Sequence, residues 1–190
     1  MSSFSIEEQN KIEKTCKNGI GILEFLPAKN YFVTGATGFL GKAIIEKLLR
    51  AAPNVCKIYL LIKAENEEAA LERIKTEIID SNLFDLARDM HGKSYQDFML
   101  SKVVPIPGNI GESNRGMDPD LIMEIAQEVD VVINSAANTT FDERFDVAVN
   151  INTRGPSPFL LLSNWGLRGP PHTRSHINLS TSIANLHFQA

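Results

Sequence analysis

Cysteine is nearly absent from this chain: Cys16 and Cys56 are the only two among 190 residues. A lone, widely separated pair builds no disulfide framework, so a reducing compartment fits best. Long apolar runs are missing too, and none reaches the roughly 18 residues of a membrane span. There is no excess of basic charge, since 19 Lys and Arg stand against 23 Asp and Glu for a formal net charge of −4. Nucleic acid is therefore not an expected partner, because it would call for clustered cations. Residues 1–19 have neither the apolar core of a signal peptide nor the arginine-rich, acid-poor character of a transit peptide, which favours a cytoplasmic location. Metal-ligand spacing is also lacking. His172 and His176, with Thr-Arg-Ser between them, have no third ligand nearby, so no metal site is expected.

What is present is an ordinary globular composition, 43% hydrophobic and 22% charged, at a length that suits one domain. After a polar arm over residues 1–18, short apolar runs alternate with helical periodicity. Tyr31 to Gly35 reads as a buried strand stopped by glycine, and Phe39, Leu40, Ala43, Ile44, Leu48 and Leu49 then recur at helical spacing. Lys57 to Lys63 is a second strand that completes a βαβ unit. A long helical insertion follows from Glu65 to Lys102, with Ala69, Ile74, Ile78 and Ile79 marking one face and Leu83, Leu86, Met90, Phe98 and Leu100 a second. Lys102 to Ile110 is a third strand whose two prolines place it at an end or an edge. Leu121 to Val129 is a helix started at Asp118-Pro119, and Asp130 to Ala137 is a fourth strand. The alternation predicts an α/β fold, a Rossmann-like doubly wound parallel sheet over residues 19–156 that is truncated in its second half, with the fourth strand left at an unpaired edge that invites association.

Beyond Pro156 the composition changes. All 23 acidic residues lie at or before Asp146, whereas three of the four histidines and four of the nine prolines fall from Pro156 onward. Residues 157–190 form an atypical tail.

The chemistry-bearing motif is Gly35, Gly38 and Gly41, a G-x-x-G-x-x-G set between a strand and a helix with Thr34 and Thr37 alongside. A side chain at the middle glycine would collide with a pyrophosphate held over the helix N-terminus, where free amides and the dipole favour anions. A bare tight turn is the alternative, and the strand and helix context favours a dinucleotide. An NAD site places an acid at the end of the second strand, whereas an NADP site takes a cation there. Here that strand ends in Lys63 with no acid until Glu65, which favours NADPH. Asn109 and Ile110, after the third strand, offer an amide and an apolar face to an adenine, or simply an Asn-containing turn. Ala136 and Ala137, after the fourth, leave room for a ribose or mark tight packing.

With these segments in place, "VTGATGFLGKAIIEKLLR", "SNLFDLARDMHGKSYQDFMLSK" and "NTTFDERFD" among them, the chain resembles the N-terminal part of plant alcohol-forming fatty acyl-CoA reductases, which are extended short-chain dehydrogenases. The likeness covers roughly Gly19 to Pro156. It implies NADPH-dependent reduction of a long-chain fatty acyl-CoA, through the aldehyde, to a primary alcohol, and it allows an association with the endoplasmic reticulum. It assigns Gly35, Thr37, Gly38, Phe39, Leu40 and Gly41 to the pyrophosphate, Lys63 to the 2′-phosphate, and Asn109 and Ile110 to adenine, although relatives commonly have aspartate at the Asn109 position. Ala136, Ala137 and Asn138 would border the ribose and nicotinamide, and Asn152 falls on the helix that supports the active site.

The family's catalytic Tyr-x-x-x-Lys is not found: the last tyrosine is Tyr95 and the last lysine Lys102. Ile177 to Asn185 resembles the family strand that ends in Ser-Thr, which makes Ser180 the remaining catalytic candidate. Two other readings stay open. One is a catalytically inactive NADP-binding or partner-binding fragment that associates with itself or a full-length relative. The other is a thioester reductase of the carboxylic acid reductase type.

Overall fold

The computed structural model describes residues 25–112, 116–138, 140, 142–155 and 175–178. Its centre is a parallel sheet of β1 (Tyr31–Thr34), β2 (Ile58–Ile62), β3 (Val103–Pro107), β4 (Val131–Asn134) and β5 (Ser175–Asn178), in the order β3-β2-β1-β4-β5. Side chains alternate across a strand, so the sheet has two apolar faces to cover. Tyr31 and Val33 of β1 join one core, and Phe32 joins the other. The first face receives α1 (Phe39–Ala51) through Ile45, Leu48 and Leu49, and α2 (Glu67–Ile74) through Ala70 and Ile74. The second receives α5 (Pro119–Glu128) through Ile125, with Val129 just beyond its end. The sheet is thus doubly wound, as the alternation predicts.

Local chemistry sets the boundaries. Asp118 accepts from the Asp120 amide at 2.8 Å to cap α5, Pro119 opens that helix, and Asn66 caps α2 from the Ala69 amide at 2.8 Å. The prolines of β3 pair with Leu60 and Ile62 of β2, and β3 is an edge strand, as proline requires.

The insertion differs from its sequence pattern. α2 widens into a π-turn at Lys75–Ile79, followed by Asn82–Phe84, α3 (Asp85–His91), Gly92–Ser94 and α4 (Tyr95–Lys102). The residues that enter the core are Ala70, Ile74, Ile78, Ile79, Phe84, Ala87, Tyr95 and Met99. Ala69 is exposed, as are Leu83, Leu86, Met90 and Leu100. Short segments with changing helical pitch reset the phase, which periodicity read over a single helix does not follow.

The unpaired edge expected at β4 is also corrected. Backbone of the tail returns as β5 beside it, with Val131 to Asn134 in register with Ser175 to Asn178. β5 comes just before Ser180, which itself lies outside the described residues.

Ahead of β1, Asn30 ties three elements together. Its amide donates to Asp130 Oδ2 at 2.9 Å, its Nδ2 to the Glu128 carbonyl at 3.0 Å, and its Oδ1 accepts from the Lys57 amide at 3.0 Å. Beside it the Tyr31 hydroxyl donates to the Leu26 carbonyl at 2.8 Å, and burial, with Asp130 as the lesser cause, pushes the phenol up to about 12. The folded chain therefore holds this proton after the unfolded chain, ordinarily titrating near 10, has released it. The stability due to Tyr31 is full below about pH 10 and is lost as pH rises toward 12. Urea titrations from pH 9 to 11.5 are expected to show falling stability, with a shallower fall in Tyr31→Phe. An equal slope in the two proteins would refute the assignment.

Candidate nucleotide site at the carboxyl edge of the sheet

The order β3-β2-β1-β4-β5 reverses direction between β1 and β4, and in such sheets ligands sit outside the carboxyl ends of the strands at that switch point. The two loops leaving this point touch. Gly35 turns with φ +69°, and a Cβ there would stand 2.6 Å from the Ala136 nitrogen and 2.7 Å from the Ser135 carbonyl carbon. Positive φ and a neighbouring backbone both demand glycine here. Beneath the contact lies a buried polar group. Thr34 Oγ1 donates to Asn134 Oδ1 and accepts from the Ala136 amide at 3.3 Å, while Ser135 Oγ donates to the Thr34 carbonyl at 2.6 Å. Buried polar atoms need partners, and this set of bonds fixes the ends of β1 and β4 to one another.

Gly41 provides the second close approach, since a Cβ on it would be 2.1 Å from the Gly35 carbonyl oxygen. α1 can therefore start directly over the strand end. Gly38 is its N-cap, exposed, with no side-chain cap and no acidic residue in the first turn. The Gly38 amide bonds back to the Gly35 carbonyl at 3.0 Å, and the amides of such an uncapped first turn are able to hold an anion. Thr37 and Leu40 are half-buried, whereas the Phe39 ring is 80% exposed.

At the end of β2, Lys63 is exposed beyond the strand. The fold adds a cation that the strand-end pattern does not reveal. Arg73, on α2, donates through Nη1 to the Lys63 carbonyl at 2.6 Å and pairs through Nε with Glu77 Oε1 at 2.6 Å. These contacts commit two of the five N–H groups of a guanidinium. Its sequence signal is weak, a basic residue one crossover turn beyond the strand, and only the path of α2 brings it back.

After β3, Asn109 uses its side chain locally. Oδ1 accepts from the Gly111 amide at 3.1 Å and Nδ2 donates to Glu112 Oε1 at 2.8 Å. That is the Asn-containing turn weighed as the alternative, and in this conformation the amide is occupied. Ile110 packs against the second core. After β4, Asn138 donates through Nδ2 to Glu143 Oε2 at 2.7 Å, and its backbone is held at both groups by Asn152: Oδ1 accepts from the amide at 2.7 Å and Nδ2 donates to the carbonyl at 3.0 Å. The predicted residues Gly35, Thr37, Gly38, Lys63, Asn109, Ile110, Ala136, Ala137 and Asn138 thus follow the strands at one edge of the sheet, with Phe39, Leu40 and Gly41 in the first turn of α1.

The pattern of the NAD-binding family described as "Male sterility protein" matches residues 33–189. The chain belongs to that family. The match continues past Pro156, where the sequence alone ends the resemblance, and takes in the tail that contributes β5. Curated proteins are similar to this chain in sequence. "Fatty acyl-CoA reductase 2, chloroplastic" of Arabidopsis thaliana is 59% identical over 140 residues, 74% of this chain and 23% of that protein. "Alcohol-forming fatty acyl-CoA reductase" of Simmondsia chinensis is 44% identical over 135 residues, 70% of this chain and 27% of that protein. The chain thus spans about a quarter of the length of these curated relatives.

Among solved structures, the terminal R domain of the myxalamid PKS-NRPS pathway aligns with a TM-score of 0.58 at 24% identity, over 80% of this chain and 33% of that one. The PhqB reductase domain from Penicillium fellutanum aligns with 0.58 at 23% identity, over 88% and 41%. These two support the fold of this Male sterility family member. No described helix is long and apolar enough to cross a membrane.

Proposed function

We propose that this chain is the nucleotide-binding part of an NADPH-dependent, alcohol-forming fatty acyl-CoA reductase. The observation that carries the cofactor is the cradle at the switch point: an uncapped α1 N-terminus opened by Gly38, set over β1 by the crowding at Gly35 and Gly41. A pyrophosphate fits because exposed Gly38 puts no side chain over the first turn of α1 and no acid in that turn opposes its amides. Gly35, Thr37, Gly38, Phe39, Leu40 and Gly41 hold it. Lys63 and Arg73 supply positive charge for a 2′-phosphate at the end of β2. Asn109 and Ile110 flank the adenine, with the Asn109 turn shaping the loop, and Ala136, Ala137 and Asn138 border the nicotinamide ribose. When bound, the cofactor supplies the reducing equivalent. The acyl-CoA substrate is supported by the relatives, at 59% and 44% identity.

Proton delivery to the developing alkoxide is a separate matter. The three tyrosines of the chain are Tyr31, Tyr59 and Tyr95. Each is raised in pKa chiefly by burial and is engaged elsewhere: Tyr31 with Leu26, Tyr59 with Glu128, and Tyr95 with the Ile79 carbonyl at 2.9 Å. Held protonated away from the nucleotide edge, none suits general acid work. That observation favours a second reading, in which this chain binds NADPH and turns over only with further polypeptide that carries the acid, its own or a partner's.

Thermal melting with and without each nucleotide tests the cofactor. NADPH at a hundredfold excess over its Kd is expected to stabilise the chain by about 2.7 kcal/mol, and NADH by much less. A melting point indifferent to both would overturn the proposal. Acyl-CoA-dependent oxidation of NADPH by the purified chain then separates the two readings, and turnover would dismiss the second.

A further inference from the structure

α6 covers only Phe145–Val149, and the chain continues over Asn150–Arg154 as a π-turn, with the Gly155 amide donating to the Asn150 carbonyl at 2.7 Å. Such turns are local distortions that recur where side chains must be re-aimed. Here two side-chain amides, two residues apart and so directed to different sides of the turn, reach two different loops. Asn150 Nδ2 donates to the Gly111 carbonyl at 3.0 Å, in the loop after β3. Asn152 grips the amide and carbonyl of Asn138 at 2.7 and 3.0 Å, in the loop after β4. Close packing reinforces the tie to the loop after β3. A Cβ on Gly111 would sit 3.6 Å from Ile151 Cγ1, and one on Gly155 would sit 2.9 Å from Ile110 Cγ1 and 3.0 Å from the Ile110 carbonyl oxygen.

We infer that Asn150 is a positioning residue which, with Asn152, makes residues 150–155 a strut between the loop after β3 and the loop after β4. The inference rests on the cofactor reading for its purpose: these loops flank the adenine and nicotinamide ends of the proposed site, and the strut sets their separation before a ligand arrives. A dinucleotide that spans both loops gains from this arrangement, because ordering them does not then draw on its binding energy. A ligand that touches one loop gains less.

The test uses the full chain without nucleotide. In Asn150→Ala, hydrogen exchange is expected to quicken about fivefold, the loss of one hydrogen bond, at the Gly111 and Glu112 amides. The strut further requires faster exchange at the Asn138 and Thr140 amides, which Asn150 does not touch, and Asn152→Ala should quicken Gly111 and Glu112 in return. Asn150→Asp keeps the size of the side chain but loses the donor, and it should act like the alanine variant without opening a space. Exchange that rises only in the loop each residue contacts would overturn the strut.

Isothermal titration supplies the functional half. NADPH should bind Asn150→Asp roughly five- to tenfold more weakly, while adenosine 2′,5′-bisphosphate, which lacks the nicotinamide end, should weaken by less than about twofold. Equal losses for both ligands would overturn the positioning role. An unaltered chain that fails to bind NADPH, with the exchange pattern as expected, would sink the cofactor reading and leave the strut standing.

Discussion

Gly35→Ala is expected to lower the unfolding free energy by about 2–5 kcal/mol and to abolish measurable nucleotide binding. Two costs combine. The backbone sits at φ +69°, where a Cβ meets its own carbonyl at roughly 1–2 kcal/mol. That Cβ would also stand 2.6 Å from the Ala136 nitrogen and 2.7 Å from the Ser135 carbonyl carbon. These are backbone atoms of a loop that Thr34 and Ser135 bind to β1, so they cannot move aside without breaking buried hydrogen bonds, and overpacking of this kind adds about 1–3 kcal/mol. Gly92 is the natural control. It too has positive φ, at +53°, but a Cβ there meets nothing within 4 Å. Gly92→Ala should therefore cost only the backbone part, about 1–3 kcal/mol at φ +53° and ψ −128°, and leave the nucleotide edge unchanged. Urea denaturation of both variants decides the matter. If the two lose the same stability, crowding between the β1 and β4 loops is not what requires glycine at position 35.

The second large effect concerns cofactor choice. Lys63→Ala with Arg73→Ala is expected to reduce the preference for NADPH over NADH by about a hundredfold, each charged contact to a phosphate being worth about 1.5–3 kcal/mol. The single variants should differ. Lys63 is exposed and carries its ammonium on a flexible stem, whereas Arg73 is pinned by Glu77 and the Lys63 carbonyl, so its planar fork is already oriented. Removing Arg73 also releases the turn after β2, and Lys63→Ala in the Arg73→Ala background should then lose less than the sum of the two, as coupled neighbours do. Lys63→Asp goes further: a carboxylate at the strand end repels a 2′-phosphate and can accept from a ribose hydroxyl, so NADH should become the better ligand. Titration of each variant with both nucleotides reads this directly. An unchanged preference in the double variant would place the 2′-phosphate elsewhere.

Several features of the fold were legible because they depend on neighbours in sequence. The run at Tyr31–Thr34, the glycines at positions 35, 38 and 41, the Asp118-Pro119 start of α5 and the prolines that hold β3 at an edge are all set by backbone geometry within a few residues. The insertion was read less well. Its apolar residues suggest two faces, yet Leu86 is 52% and Met90 61% exposed while Phe84 and Met99 are buried, because a π-turn and two short tight turns shift the helical phase between them. The fifth strand is legible only in part: Ile177 to Asn185 resembles a family strand, but the pairing of Ser175–Asn178 with β4 is decided across the sheet, not along the tail.

The sequence by itself determined a doubly wound parallel sheet with a glycine-rich strand-to-helix turn and a cation after the second strand, for these follow from period, sterics and charge at fixed spacing. Tertiary structure alone decided that Arg73 returns to the Lys63 carbonyl and that Asn150 and Asn152 reach two loops from one π-turn. The physical reason is range. A hydrogen bond between residues ten, fourteen or thirty-nine positions apart is set by where the intervening chain is packed, and that packing is a property of the whole core.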